Sequence, residues 1–273
     1  MNMRIGIIGY GNMGQAIAQR LKEKYRIFVF EKDALKTKNC PGLIIVDSLE
    51  EMVNSVGVMI IAVKPQDFEA VLFELKKFSP GQLLVSIAAG ISTQYIESII
   101  GEVRVIRAMP NLPIKVGEAM TCICKGVYAN AIDVSFVQGL FNRLGKTLLI
   151  EERFMNAVTA ISGSGPGFLF SILETKDRSQ WKENEQAFTE RLKKAAVKAG
   201  FSEEEADLLA SQTTKGSFAL LEETKTPAHI LRVQVTSKAG TTEAGLNVLQ
   251  GRIENLDQAV KAALKRAEEL SKK

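Results

Sequence analysis

Residues 4–18 read Arg4-Ile5-Gly6-Ile7-Ile8-Gly9-Tyr10-Gly11-Asn12-Met13-Gly14-Gln15-Ala16-Ile17-Ala18. An apolar run, Arg4 to Ile8, flows into G-x-G-x-x-G at Gly9, Gly11 and Gly14, and a helix-forming stretch follows directly. The glycine string alone is weak evidence; between a strand and a helix it marks a dinucleotide-binding turn. Gly9 permits the tight turn, Gly11 lets a pyrophosphate approach the backbone, and Gly14 lets helix and strand pack closely. The helix N-terminus adds partial positive charge. Ile8, Gly9, Tyr10, Gly11, Asn12, Met13 and Gly14 are the expected cofactor-binding segment. A second apolar run ends at Phe30, and Glu31 follows it. A carboxylate there accepts hydrogen bonds from both ribose hydroxyls and repels a 2′-phosphate, which favours NADH over NADPH. Lys32, Lys36 and Lys38 lie just beyond and soften that repulsion.

Outward from this unit, short apolar runs alternate with helical patterns. Strands are predicted over 4–8, 26–30, 43–46, 58–63, 83–87 and 103–107, with helices over 13–22, 49–55, 68–77 and 92–99. The strands are continuous Ile/Val/Leu runs, as in a parallel sheet covered on both faces. Strand–helix alternation implies a doubly wound α/β fold of the Rossmann kind. Further strands over 119–124 and 147–150 extend the sheet. After Glu151 helical periodicity takes over, so the expected organisation is a mostly parallel α/β domain over 1–151 and an all-α domain over 152–273. One segment, Glu174 to Lys194, is dense in charge of both signs. Trp181, Phe188 and Leu192 fall on one helical stripe within it, which reads as a solvated amphipathic helix or helical hairpin, the alternative being an added interface element anchored by Trp181, the only tryptophan of the sequence.

Composition narrows the function. Among 273 residues, 35 Lys+Arg against 31 Asp+Glu leave a net charge of +4, and 46% of residues are hydrophobic. That balance is ordinary for a globular protein and gives no basic footprint for nucleic acid. No apolar run reaches membrane-spanning length. The three cysteines, Cys40, Cys122 and Cys124, form no C-x-x-C pair and read as packing thiols in a cytoplasmic protein. The single histidine, His229, rules out a His-rich metal site; no metal is expected. It lies in a helix-like stretch and reads as a partly buried structural residue.

The strand ends carry a resemblance. Ala62-Val63-Lys64-Pro65, Ala88-Ala89-Gly90 and Ala108-Met109-Pro110-Asn111 resemble motifs of the pyrroline-5-carboxylate reductases. So do Ser162-Gly163-Ser164-Gly165-Pro166 and Thr236-Ser237-Lys238-Ala239-Gly240-Thr241-Thr242, in the family's order. The resemblance implies a Rossmann domain followed by a helical dimerisation domain. It also implies NAD(P)H-dependent reduction of the cyclic imine 1-pyrroline-5-carboxylate, the last step of proline biosynthesis, in a homodimer or higher homo-oligomer. Carried over, it makes Ala62, Val63, Lys64, Pro65, Ala88, Ala89, Gly90 and Asn111 cofactor contacts. Ser237, Gly240 and Thr241 would hold the substrate carboxylate, and Thr242 would reach both carboxylate and imine nitrogen as the catalytic residue. The physics of that loop agrees: hydroxyls and a glycine at a helix start make an anion site without formal charge. Glu152, at the start of the second domain, is a further substrate-contact candidate.

The chain departs from the family where Lys238-Ala239 replaces the usual Pro-Gly, and the charged segment Glu174–Lys194 looks like an insertion. Two other readings stay open. One is a neighbour from the β-hydroxyacid dehydrogenase and F420-reductase group; its expected lysine is missing between Glu152 and Ser171. The other is a non-catalytic paralogue that senses NAD(H). The scarcity of histidine favours imine reduction, which needs positioning more than a strong general acid.

Overall fold

The computed structural model describes residues 3–78, 80–174, 176–177, 179 and 181–271. Thr175, Arg178 and Gln180 of the charged segment lie outside the described residues. The chain opens β1 (Arg4–Ile8), α1 (Asn12–Leu21), β2 (Arg26–Phe30), β3 (Ile44–Ile45), α2 (Leu49–Ser55), β4 (Val58–Ile61), α3 (Pro65–Lys76), β5 (Leu83–Ser86), α4 (Thr93–Ile100) and β6 (Val105–Met109). It continues β7 (Ala119–Lys125), α5 (Ala131–Phe141) and β8 (Gly145–Leu149). Then come α6 (Met155–Val158), a π-helical turn (Thr159–Gly163), α7 (Gly165–Leu173), α8 (Trp181–Lys198), α9 (Glu203–Thr224), α10 (Ala228–Val235), α11 (Thr241–Leu249) and α12 (Leu256–Leu270).

The strand order is β3-β2-β1-β4-β5-β6-β7-β8, and the registers from β3 through β6 are parallel. This is the α/β Rossmann arrangement expected. Strand order reverses between β1 and β4, and that reversal opens a crevice at the carboxyl ends of the strands. Ile8 pairs with Phe30 on one side and Ile61 on the other, so β1, β2 and β4 end level. The loops beginning at Gly9, Glu31 and Ala62 therefore leave the sheet side by side.

The chain forms two compact units. The first comprises Met1–Ala108 and Ile123–Phe141, and its core gathers Ile8, Leu49, Met59, Phe68, Leu72 and Val105, all buried. The second comprises Met109–Cys122 and Asn142–Lys273; its core is built on Ile161, Phe168, Phe170, Phe188, Leu192, Leu209 and Leu249.

Some boundaries differ from expectation for local reasons. β4 stops at Ile61, two residues early, because Ala62 and Val63 turn out toward the crevice. α3 begins at Pro65 rather than Phe68: proline at a first helical position has its φ preset and its missing N–H costs nothing. α8 begins at Trp181, whose ring packs on Phe218 with centroids 6.1 Å apart, and Phe188 and Leu192 are fully buried on the same stripe. α9 starts on a capping box, Ser202 and Glu205 each bonding the other's backbone amide. His229 is exposed on the first turn of α10, not partly buried: only Leu231 of that helix is buried.

Candidate functional site

Two clusters emerge, one in each unit. In the first unit, the level ends of β1, β2 and β4 form a cleft of about 250 Å³. It is lined by Ile8, Gly9, Gly11, Glu31, Ala62, Val63 and Lys64 from the expected set, joined by Phe30, Lys32, Lys36, Gln66, Asp67 and Val71. Gly9 sits at φ +97, where side chains are strained, and its amide donates to the Phe30 carbonyl at 2.8 Å. A Cβ on Gly14 would strike the Gly9 carbonyl oxygen, so the close crossing of turn and helix requires glycine there. Above Gly11 a Cβ would meet nothing within 4 Å, which leaves open space over the start of α1. Gly11 caps α1 without any side-chain bond, so the first-turn amides face that space uncapped by the protein. Asn12 is exposed and Met13 half-buried on that turn. These features fit the pyrophosphate of a dinucleotide.

Glu31 is tied down more tightly than the sequence suggests. Its Oε2 accepts from the Tyr10 amide at 2.6 Å, and its Oε1 accepts from the Asp33 amide at 3.1 Å and Lys36 Nζ at 3.2 Å. Burial pushes its pKa up. The two amides and the lysine outweigh burial, and the carboxyl lies below its ordinary value. The Tyr10 side chain is buried, and its hydroxyl accepts from Gln19 Nε2 at 2.9 Å, so Tyr10 enters the loop through its backbone. Lys64 and Pro65 are exposed at the head of α3. Ala88, Ala89 and Gly90 follow β5, Ala88 buried and Gly90 at φ +76.

In the second unit a hydroxyl cluster forms where α7 meets the start of α11. Ser164 Oγ donates to the Thr159 carbonyl at 3.1 Å, Thr242 Oγ1 donates to Ser164 Oγ at 3.1 Å, and Thr241 Oγ1 lies 3.1 Å from the same oxygen. The Ser164 amide also donates to the Thr159 carbonyl, at 2.9 Å, across the π-helical turn. Such turns insert one residue into a helix and recur at functional sites. A Cβ on Gly167 would lie 2.6 Å from Thr242 Cγ2, so that glycine lets α11 approach α7.

Gly240 caps α11 with no side-chain bond, again leaving helix-start amides available. Ser237 and Lys238 are exposed; Thr241 is half-buried and Thr242 is 4% exposed. Ala239 holds φ +55, its amide donating to Glu243 Oε2 at 2.7 Å and its carbonyl accepting from Arg266 Nε at 2.9 Å. The hydroxyl cluster does not include Glu152, which is half-buried on the turn leading into α6.

Asn111 is 2% exposed, and its side-chain amide works inside the second unit. Nδ2 donates to the Ser162 carbonyl at 3.2 Å, and Oδ1 accepts from the Met120 amide at 3.0 Å. It ties the segment after β6 to the Ser162–Pro166 segment. Ser164 is the residue whose place sequence reasoning missed, although it lies within the Ser162–Pro166 motif.

Comparisons with known proteins bear on both clusters. The family described as pyrroline-5-carboxylate reductase dimerisation matches residues 186–271, and that described as NADP oxidoreductase, coenzyme F420-dependent, matches residues 4–90. The pyrroline-5-carboxylate reductase of Arabidopsis thaliana is 34% identical over 99% of this chain and 96% of its own length. A pyrroline-5-carboxylate reductase structure from Coxiella burnetii is 30% identical, with a TM-score of 0.66 and full coverage of both chains. The Plasmodium falciparum pyrroline carboxylate reductase, solved with NADP bound, is 29% identical with a TM-score of 0.64, covering 99% of this chain and 98% of its own. With relatedness above 30% running the length of the chain, and with the dinucleotide cleft and hydroxyl cluster both built, the chain belongs to the pyrroline-5-carboxylate reductase family.

Proposed function

We propose that this protein reduces 1-pyrroline-5-carboxylate to L-proline, with NAD(P)H as hydride donor, as a cytoplasmic homodimer or higher homo-oligomer. The observation that carries the reading is the meeting of Ser164 with Thr241 and Thr242, which lie 77 and 78 residues further along the chain, in a chain that matches a reductase named for this substrate over 99% of its length. A sensing paralogue with a degraded substrate loop would not need that cluster intact. Among the described residues no helix is long and apolar enough to cross a membrane.

The proposed sequence division is 1–151 and 152–273, the second part carrying dimerisation; the compact units cut the chain differently, with Met109–Cys122 and Asn142–Glu151 belonging to the second. In the first, residues Ile8 to Gly14 receive the pyrophosphate and Glu31 receives the adenosine ribose. Ala62 to Pro65 and Ala88 to Gly90 line the rest of the cofactor; the side-chain amide of Asn111, bonded to Ser162 and Met120, is not kept as a cofactor contact. Glu31, an ionised carboxylate, favours NADH; Lys36 at 3.2 Å moderates the preference. When bound, the reduced nicotinamide supplies hydride.

In the second part, the first-turn amides of α11 and the Ser237 hydroxyl take the substrate carboxylate, with Gly240 allowing the approach. Thr241 and Thr242 contact the substrate, Thr242 at the imine nitrogen, and Glu152 is kept as a peripheral contact. Hydride adds to the carbon of the protonated imine, the C=N π pair moves to nitrogen to give the neutral amine, and one proton from water completes the ammonium of proline. The chemistry needs alignment more than acid strength, which suits a chain whose one histidine is exposed on α10.

The test is steady-state oxidation of NADH and of NADPH with pyrroline-5-carboxylate. Turnover, with the greater kcat/KM for NADH, is expected. Absence of turnover with both cofactors would overturn the assignment.

A further inference from the structure

We propose that Ser164 is a positioning residue that fixes the polarity of the substrate-facing hydroxyls, so that the site accepts the imine only in its protonated form. The inference rests on the assignment above and concerns which proton each hydroxyl holds.

One group of the cluster cannot donate. The Thr159 carbonyl is an acceptor only, and it takes both the amide and the hydroxyl of Ser164, at 2.9 Å and 3.1 Å. A serine hydroxyl has one hydrogen and two lone pairs. With its hydrogen committed to Thr159, Ser164 Oγ can only accept. Thr242 Oγ1 and Thr241 Oγ1 both lie 3.1 Å from it, so each donates inward, and the two lone pairs are matched by two donors. Ser164 is fully buried, so water does not compete for these bonds.

The threonine oxygens then have no hydrogen left for a ligand. What they present is lone pairs, and whatever faces them must donate. A neutral pyrroline nitrogen is itself an acceptor and would set lone pair against lone pair. The iminium form carries N–H and is satisfied, and its carbon is the better hydride acceptor. After transfer the ring nitrogen still carries N–H, so the product is held by the same bond. The carboxylate cannot use the threonine hydroxyl hydrogens either. It is left to the backbone amides of α11, whose cap offers no competing side chain. Thr241 thus serves the carboxylate through its amide, while its hydroxyl shares the polarity of Thr242.

The experiment is the pH dependence of kcat/KM for pyrroline-5-carboxylate at saturating NADH, in wild type, Ser164→Ala and Ser164→Cys. In wild type, kcat/KM is expected to fall about tenfold per pH unit above the pKa of the substrate imine, tracking the iminium fraction. In Ser164→Ala the threonine hydroxyls are free to rotate and donate. Its kcat/KM is expected to be about tenfold lower at acidic pH and to fall with a shallower slope on the alkaline side, with the KM for NADH unchanged. Ser164→Cys keeps a weak donor and acceptor in nearly the same volume and should restore part of the alkaline slope. If Ser164→Ala does not fold, the cysteine variant decides: a slope between flat and wild type supports the proposal, and a wild-type slope overturns it. A wild-type profile insensitive to imine protonation, or an Ser164→Ala profile of wild-type shape merely scaled down, would also overturn it. Absence of wild-type turnover would overturn the functional assignment instead, so the two failures are distinguishable.

Discussion

Gly167→Ala adds one methyl group at the point where α7 meets the N-terminal end of α11, the proposed substrate site. The new Cβ would stand 2.6 Å from Thr242 Cγ2 and 3.3 Å from Val235 Cγ1. Carbon atoms rest at about 3.5–4.0 Å, so the first contact must open by about 1 Å. Thr242 lies on the first turn of α11 and Val235 on the last turn of α10, so the methyl presses on both sides of the loop between them. Overpacking of this kind costs roughly 1–3 kcal/mol of stability. A displacement of about 1 Å at a substrate-positioning group costs on the order of 10²-fold in rate. The expected result is therefore a drop of about 10² in kcat/KM for pyrroline-5-carboxylate, because Thr242 moves away from Ser164. The KM for NADH should hold within about twofold of wild type, because the glycine-rich cleft belongs to the other unit. Gly139→Ala is the control. Gly139 is exposed within α5, and a Cβ there meets nothing within 4 Å. That substitution should leave kinetics unchanged and add about 0.5–1 kcal/mol of stability. Steady-state kinetics and thermal unfolding of the two variants decide the matter. A Gly167→Ala enzyme that folds and keeps wild-type kcat/KM within about threefold would refute the account of how Thr242 is placed.

Two further outcomes follow from the loops. Glu31→Gln keeps an acceptor for the Tyr10 amide but removes the negative charge; the ratio of kcat/KM for NADPH over NADH should rise by about tenfold, or about 1.4 kcal/mol. The Glu31 carboxyl is held below its ordinary pKa. Its contribution is in place above roughly pH 4.3 and is lost as pH falls through the lowered value, so the variant should show a flatter acid limb in thermal unfolding. Ala239→Gly relieves a left-handed alanine at φ +55, a strain of about 1–2 kcal/mol, against a glycine entropy penalty of about 0.5–1 kcal/mol. A net gain of about 0.5 kcal/mol is expected by denaturant unfolding, and a loss would show that the loop bonds to Glu243 and Arg266 depend on alanine.

The parts of the molecule legible from sequence are those whose physics is local. The Gly9–Gly14 turn, its strand and its helix are continuous in the chain, and each glycine answers to a clash or a torsion a few residues away. Glu31 was legible as an acid at a strand end, but not its grip on the Tyr10 amide, which depends on β1 and β2 ending level. The over-extension of β4 has a similar origin: Ala62 and Val63 are as apolar as the strand, and only their turn toward the crevice separates them from it. Ser164 was legible as a motif letter and not as a hub, since its partners are 77 and 78 residues later and meet it through a π-helical turn that no periodicity announces. His229 was misplaced because Pro227–Leu231 has the composition of a buried helix start, whereas the structure buries Leu231 alone on α10.

On the proposed assignment, the hydroxyl cluster accounts for substrate binding without a charged contact. Protonated pyrroline-5-carboxylate is a zwitterion, with positive charge on the ring nitrogen and negative charge on the carboxylate. A lysine aimed at the carboxylate would also repel the iminium, and an aspartate at the nitrogen would also repel the carboxylate. In the proposed binding mode opposed dipoles avoid both penalties: lone pairs of Thr242 toward the N–H, amide hydrogens of α11 toward the carboxylate. Lys238, which replaces the family's usual proline, is exposed, so its charge is screened by solvent rather than committed to the site. On this reasoning Lys238→Ala should change kcat/KM by less than about twofold, while a lysine or aspartate in place of Thr241 would disable the site whichever sign it carried.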